Sequence, residues 1–298
     1  NATTSVGRTA VHLAAESGCR RALEVLIEHD ASVTIGDIDG SLPVHLAATR
    51  NRTTEENRVE TLRCLFAKYP QLVNAPTESL NDHQQTTLHI AVVNGQLLVV
   101  ECLLEHGADI EALDANACTP LHYAAACNHE RVLTLLLNKG ANAMAADYNG
   151  WLPVHIACQN GLAPLVRILS TNCSECANAL TKKGDENKTP LHVAVENDSV
   201  ECIETLIACK AEVNAQTTEG RTPLHFAAIQ GNVRATEVLL KRRADAMIAD
   251  QDGWLPLHRA CFEDNADCAQ QLLEYFPWCL NSRTSSSTNS MTPLLIAA

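Results

Sequence analysis

Aromatic side chains are scarce, at 4% of a 298-residue chain. A core so poor in rings must be built from Ala, Leu, Val, Ile and Cys, which suits closely packed helices and argues against a thick aromatic sandwich. Positive charge is scarce too: 22 Lys and Arg stand against 35 Asp and Glu, a formal net charge of −13. That balance repels the phosphates that dominate nucleic-acid affinity, and Lys241-Arg242-Arg243 is too short a basic run to reverse it, so no nucleic-acid partner is expected. No apolar run reaches the ~18 to 20 residues needed to cross a bilayer, which excludes direct membrane insertion by a helix of this chain. The chain also lacks GxSxG, GxxxxGK[ST] and HExxH, so no catalytic residue, metal or cofactor is assigned and the expectation is a protein without enzymatic activity.

Thirteen cysteines are present, odd in number, scattered, and mostly flanked by apolar helix formers. They read as reduced core thiols of an intracellular, cytoplasmic protein. Five Asn-x-Ser/Thr triplets, at Asn1, Asn51, Asn172, Asn187 and Asn197, weigh less than the thiols and are taken as chance. Cys173-Ser-Glu-Cys176 is a CxxC, but no second copy completes a four-thiolate zinc site, and a structural role is preferred to metal or redox chemistry.

The dominant feature is a repeat. GRTAVHLAA at Gly7, GSLPVHLAA at Gly40, CTPLHYAAA at Cys118, WLPVHIAC at Trp151, GRTPLHFAA at Gly220 and WLPLHRAC at Trp254 are six of nine copies. The motif histidines stand at 12, 45, 89, 122, 155, 192, 225 and 258, a basic period of 33, and Leu295 takes the ninth slot. A complete unit has a turn, a helix start that carries proline in seven of the nine copies, a short Ala-rich helix, a polar break, and a second segment with leucines at helical spacing. Repeats 2, 5 and 8 carry Leu-Pro in place of Thr-Pro and are also the long ones, with fingers three or four residues longer and, in repeat 2, six extra residues around Asn51 to Glu56. A superperiod of three repeats follows, read as an old triplication or as a partner touching every third finger.

This pattern resembles the ankyrin repeat family, and the match runs in register across nearly the whole chain. The resemblance implies an all-α solenoid of stacked helix-turn-helix repeats with β-hairpin fingers. It forms one domain over 1–298 whose repeats start near 7, 40, 84, 117, 150, 187, 220, 253 and 290. Since no repeat buries its apolar faces alone, stability is a sum of unit and neighbour terms. The last repeat stops inside its first helix, so the segment reads as part of a longer protein. The resemblance also implies that each motif His bonds neighbouring turn backbone and the motif Thr, which Leu42, Leu152 and Leu255 cannot supply.

Family resemblance further implies binding of a protein or extended peptide along the finger tips and the inner face of the first helices, as a scaffold. The alternative is a regulatory arm of a larger enzyme or channel; oligomeric state is left open. The residues before the Thr-Pro or Leu-Pro pair form a ladder, including Trp151, Lys188, Arg221 and Trp254. With the first-helix ends Gln159, Asn160, Gln230 and Phe262 and the finger residue Tyr148, these are the expected partner-binding residues, because Trp and Arg dominate binding hot spots. A competing reading has the indoles of Trp151 and Trp254 sealing local satellite cores, and Trp278, inside a finger, is assigned to structure.

Overall fold

A computed structural model describes residues 1–49, 53–78, 84–181, 186–285 and 290–297, and these form seventeen α-helices in two compact units, residues 1–148 and 149–298. In the first unit the helices come in pairs, one pair per 33-residue repeat. They are α1 (Ala10–Glu16) and α2 (Arg20–Glu28), α3 (Pro43–Ala47) and α4 (Glu55–Lys68), α5 (Thr87–Val93) and α6 (Leu97–Glu105), α7 (Pro120–Ala126) and α8 (Glu130–Asn138). First helices pack on first helices, α1 on α3 and α5 on α7, and second on second, α2 on α4, α4 on α6 and α6 on α8.

The second unit repeats the plan with α9 (Pro153–Gln159) and α10 (Ala163–Asn172), α11 (Pro190–Glu196) and α12 (Val200–Ala208), α13 (Pro223–Gln230) and α14 (Val233–Lys241), α15 (Pro256–Phe262) and α16 (Ala266–Tyr275), and finally α17 (Pro293–Ala297). Ala124, Ala125, Ala157, Ala194, Ala227, Ala228 and Ala260 are wholly buried, the small residues that let neighbouring first helices approach. Leu103, Leu133, Leu136, Leu165, Leu169 and Ile203 on the second helices are likewise sealed from water. Each such side chain contributes ~1.5–3 kcal/mol.

Both ends of the first helix follow from sequence. Proline at its start needs no N–H donor, and the histidine three positions after the cap accepts the cap residue's own N–H: Thr189 N to His192 Nδ1 is 3.1 Å and Leu255 N to His258 Nδ1 is 3.0 Å. At the other end the chain turns through left-handed backbone. At Gly231 (φ +70°) a Cβ would lie 2.6 Å from Asn265 Oδ1, because Asn265, at the start of the next repeat's second helix, donates to the carbonyls of Ala228 and Ile229 at 2.8 and 2.9 Å. Glycine suits the turn there and leaves room for the Asn265 amide, although Asn128, Asp198 and Asp264 take the same left-handed position in other repeats.

The fingers are closed turns more than ladders. Asp37 N donates to Ser41 O, Asp250 N to Trp254 O and Thr217 N to Arg221 O, but among the described residues no strand forms and the sole bridge is Pro76 with Thr86. A buried Asp Oδ1 closes the turn by accepting two amides, Asp39 and Ser41 at Asp37, Asn116 and Cys118 at Asp114, Asp252 and Trp254 at Asp250. Adjacent fingers are laced by Ile38 N to Val6 O, Thr218 N to Glu186 O and Gln251 N to Glu219 O.

The three long repeats share a device that periodicity did not foretell. After the second helix, each inserts a 3-10 turn, Pro70–Asn74, Ser174–Asn178 and Pro277–Asn281. In the six-residue insertion of repeat 2, Asn51 and Arg52 lie outside the described residues, as does Arg50; Thr53 and the N-cap Thr54 lie between the helices, and Glu55 and Glu56 open α4, which runs to 14 residues. The tips of the long fingers also fall outside the described residues.

Candidate partner-binding surface

The eight motif histidines are buried, and Nδ1 of each accepts the N–H of its own helix cap. A backbone N–H can only donate, so Nδ1 is an acceptor and Nε2 carries the proton. Nε2–H then donates to a carbonyl in the following finger: His12 to Ser41 (3.0 Å), His45 to Ala75 (2.8 Å), His89 to Cys118 (3.1 Å), His192 to Arg221 (3.1 Å), His225 to Trp254 (3.0 Å) and His258 to Ser282 (3.1 Å). In Thr-Pro repeats the Thr hydroxyl adds a second bond to Nδ1, 2.8 Å in the Thr189–His192 pair. Leu-Pro repeats keep only the backbone donor, as Leu42 N to His45 Nδ1 at 2.9 Å. Burial pushes the imidazoles of His45, His89, His192, His225 and His258 down, His192 to about 4, which favours their neutral hydrogen-bonding form. Among the described residues no group of three or more His, Cys, Asp or Glu could hold a metal ion.

The ladder residues sit where each finger returns toward the first helix. That places them against the residue eight positions later, at the end of the helix. Arg8 reaches Glu16 at 2.9 Å in the first unit, and Lys188 reaches Glu196 at 2.8 Å in the second, where Lys188 Nζ also lies 5.4 Å from the Phe226 ring centre. Trp254 meets Phe262 edge to face, ring centres 5.4 Å apart. Arg221 has Ile229 at that spacing and turns back to Glu219 of its own finger at 2.8 Å. Lys188 and Arg221 are thus neutralised by their own repeats, which their sequence positions alone did not suggest.

Trp254 carries more than the expected Phe262. The Arg259 guanidinium lies over the indole at 4.6 Å and binds the wholly buried Asp250 carboxylate through Nε (2.9 Å) and its terminal nitrogen, with Asp252 at 3.2 Å. The indole is half-buried, whereas Phe262 is 60% exposed. Trp151 is also half-buried and stands 6.0 Å from His155, with Gln159 and Asn160 exposed at the end of α9; Gln230 is exposed at the end of α13. Tyr148 belongs to the first unit, 68% exposed, its N–H bonded to Asn116 O. Trp278, assigned above to structure, stands 63% exposed with its ring against Phe276. Arg259 and Asp250 were missed by sequence reasoning, whereas Asp252 was expected only as an exposed finger tip. The signal was the Arg at the place where the sister stretch NGWLPVHIAC has Ile156.

Paired helices at a 33-residue period, joined by buried histidines and laced fingers, define a tandem helix-pair repeat protein. Family models for ankyrin repeats match residues 6–38, 53–147, 142–217 and 206–283, and the chain belongs to the ankyrin repeat family. Mouse inversin is 36% identical over 103 residues, 33% of this chain but 9% of inversin. Mouse NF-kappa-B inhibitor alpha is 29% identical over 112 residues, 38% of this chain and 34% of that protein. The crystal structure of the human ASB11 ankyrin repeat domain superposes with a TM-score of 0.62 at 27% identity, covering 72% of this chain and 92% of that one. Ankyrin repeats are in general protein-interaction modules, and no helix among the described residues is long and apolar enough to cross a membrane.

Proposed function

We propose that the chain is a non-enzymatic, cytoplasmic interaction scaffold that grips a protein or extended peptide along its finger turns and first-helix ends. The observation that carries the reading is the cluster on repeat 8, where Phe262 stands 60% exposed against a Trp254 indole that the Arg259 guanidinium also contacts. A rigid aromatic surface loses little entropy on binding and gains much on desolvation. In this reading Trp151, Gln159, Asn160, Lys188, Arg221, Gln230, Trp254 and Phe262 contribute from the second unit and Tyr148 from the first. Because Lys188 and Arg221 already have carboxylate partners, the aromatic residues supply most of the affinity. A relative named as an inhibitor of NF-kappa-B acts, by that name, on another protein, which supports the same class of role. The net charge of −13 supports a partner other than nucleic acid.

The test is affinity capture from cell extract with the intact chain against the Trp151→Ala/Trp254→Ala variant, with folding checked by circular dichroism. Specific partners retained by the parent and lost by the folded variant are expected; equal retention overturns the surface. Limited proteolysis around Tyr148–Asn149 checks the further proposal that residues 1–298 act as one domain, which predicts no preferred cut there.

A further inference from the structure

We propose that Cys173 and Cys176 form a reversible disulfide, a modification site that staples the 3-10 turn of repeat 5. The three long repeats build the same turn with different chemistry. In repeats 2 and 8 it opens on Tyr69-Pro70 and Phe276-Pro277, where the pyrrolidine ring fixes φ in advance. Repeat 5 has Cys173-Ser174 at those positions and no proline, yet Cys173 keeps the same φ, −131° against −133° at Tyr69 and −132° at Phe276, while its ψ opens to 105° against 66° and 67°. The buried residue three further on is Leu72, Cys176 or Cys279. Only repeat 5 therefore places a thiol at both ends of the turn.

The geometry suits a bridge. Cys176 N–H donates to Cys173 O at 3.1 Å, an i to i+3 turn. Such a turn holds its end Cα atoms within about 7 Å, near the window a disulfide spans. The two thiols are hydrogen-bonded to each other, whereas the equivalent Cys279 thiol donates to the Phe276 carbonyl at 2.8 Å. Cys173 is partly exposed and Cys176 wholly buried, so an oxidant reaches Cys173 first. With a low-molecular-mass disulfide such as oxidised glutathione, the Cys173 thiolate attacks one sulfur and releases one glutathione thiolate, leaving a mixed disulfide. Cys176 then attacks the Cys173 sulfur and expels the second glutathione, its own proton going to solvent or to the leaving thiolate. The balance is two protein thiols and one glutathione disulfide giving one protein disulfide and two glutathione thiols. Burial pushes the Cys176 thiol well up, which makes the second step the slow one.

The staple would act on the joint to the next repeat. Asn178, the last residue of the turn, accepts the Glu212 N–H at 2.7 Å and donates to Lys210 O at 3.2 Å. Fixing the turn covalently fixes that side chain.

To test this, the full chain is equilibrated in glutathione redox buffers, free thiols are alkylated, and peptides are mapped by mass spectrometry. A Cys173–Cys176 bridged peptide is expected to accumulate before any other pair, reversibly and with a single midpoint, while hydrogen exchange at the Glu212 amide slows severalfold in the oxidised form. Cys173→Ser, at the exposed position, should fold normally, form no bridge and lose the slowing. The proposal is overturned if both cysteines stay alkylatable in fully oxidised glutathione, if Cys173 stops at the mixed disulfide, or if another pair forms first. These readouts do not depend on the partner surface.

Discussion

Repeats 5 and 8 open on nearly the same ten residues, NGWLPVHIAC and DGWLPLHRAC, and support the tryptophan differently. In repeat 8 the indole contacts both Arg259 and Phe262, and Arg259 is itself anchored on buried Asp250. In repeat 5 the same two positions are Ile156 and Gln159, which bring neither a guanidinium nor a ring to the indole. A nearly identical motif thus yields an indole braced by an arginine and a phenylalanine in one place and one without those two partners in the other. The choice between binding residue and satellite core is made by side chains five and eight positions downstream.

The contrast breaks most completely at Asp250. Asp250→Ala removes the acceptor of two finger amides and of Arg259, and should cost about 3 kcal/mol in urea unfolding, since it strands a largely buried cation. A loss below about 1 kcal/mol would mean that Asp252 alone holds the clamp. Next comes the pair Trp254→Ala and Trp151→Ala. Each should weaken partner binding by about 2 kcal/mol in a titration with the captured partner, while only Trp254→Ala lowers the melting temperature noticeably. Equal destabilisation by both would erase the distinction between the repeats.

Acid should sharpen the comparison from beneath. The folded-state pKa of His192 is about 4 against an ordinary value near 6.5, so the unfolded chain binds the extra proton first and stability falls as pH drops from 6.5 toward 4. At pH 5 that one group costs about 2 kcal/mol. His45, His89, His225 and His258 shift in the same direction for the same reason, burial. His192→Gln should flatten the pH dependence of stability by one group's share, and an unchanged slope would show that His192 does not titrate on unfolding. The smallest effect is expected at Lys188→Ala, about 0.5 kcal/mol from its pair with Glu196, with little loss of binding.

Much of this architecture could be read before any coordinates. The period, the proline at most first-helix starts and the three-repeat rhythm lie in local spacing, which survives folding, and the histidine's bond to turn backbone was implied by the family resemblance. What escaped depends on how far a side chain reaches across the turn between finger and helix. Lys188 to Glu196 and Asp250 to Arg259 are eight and nine residues apart, a separation that no single helix or strand period brings together. The extra residues of repeat 2 were visible as a count, but their partial absorption into α4 was not, because a helix lengthens at the same local cost wherever its sequence permits.

Six of the motif histidines take hold of a main-chain oxygen and not of the side chain mounted beside it. The joint between His192 and position 221 would close equally well over an alanine or a lysine as over the arginine it has. Exchange of the outward group can therefore retune what the fold recognises without loosening how one module is fastened to the next, so new specificities are open to this scaffold by single substitutions.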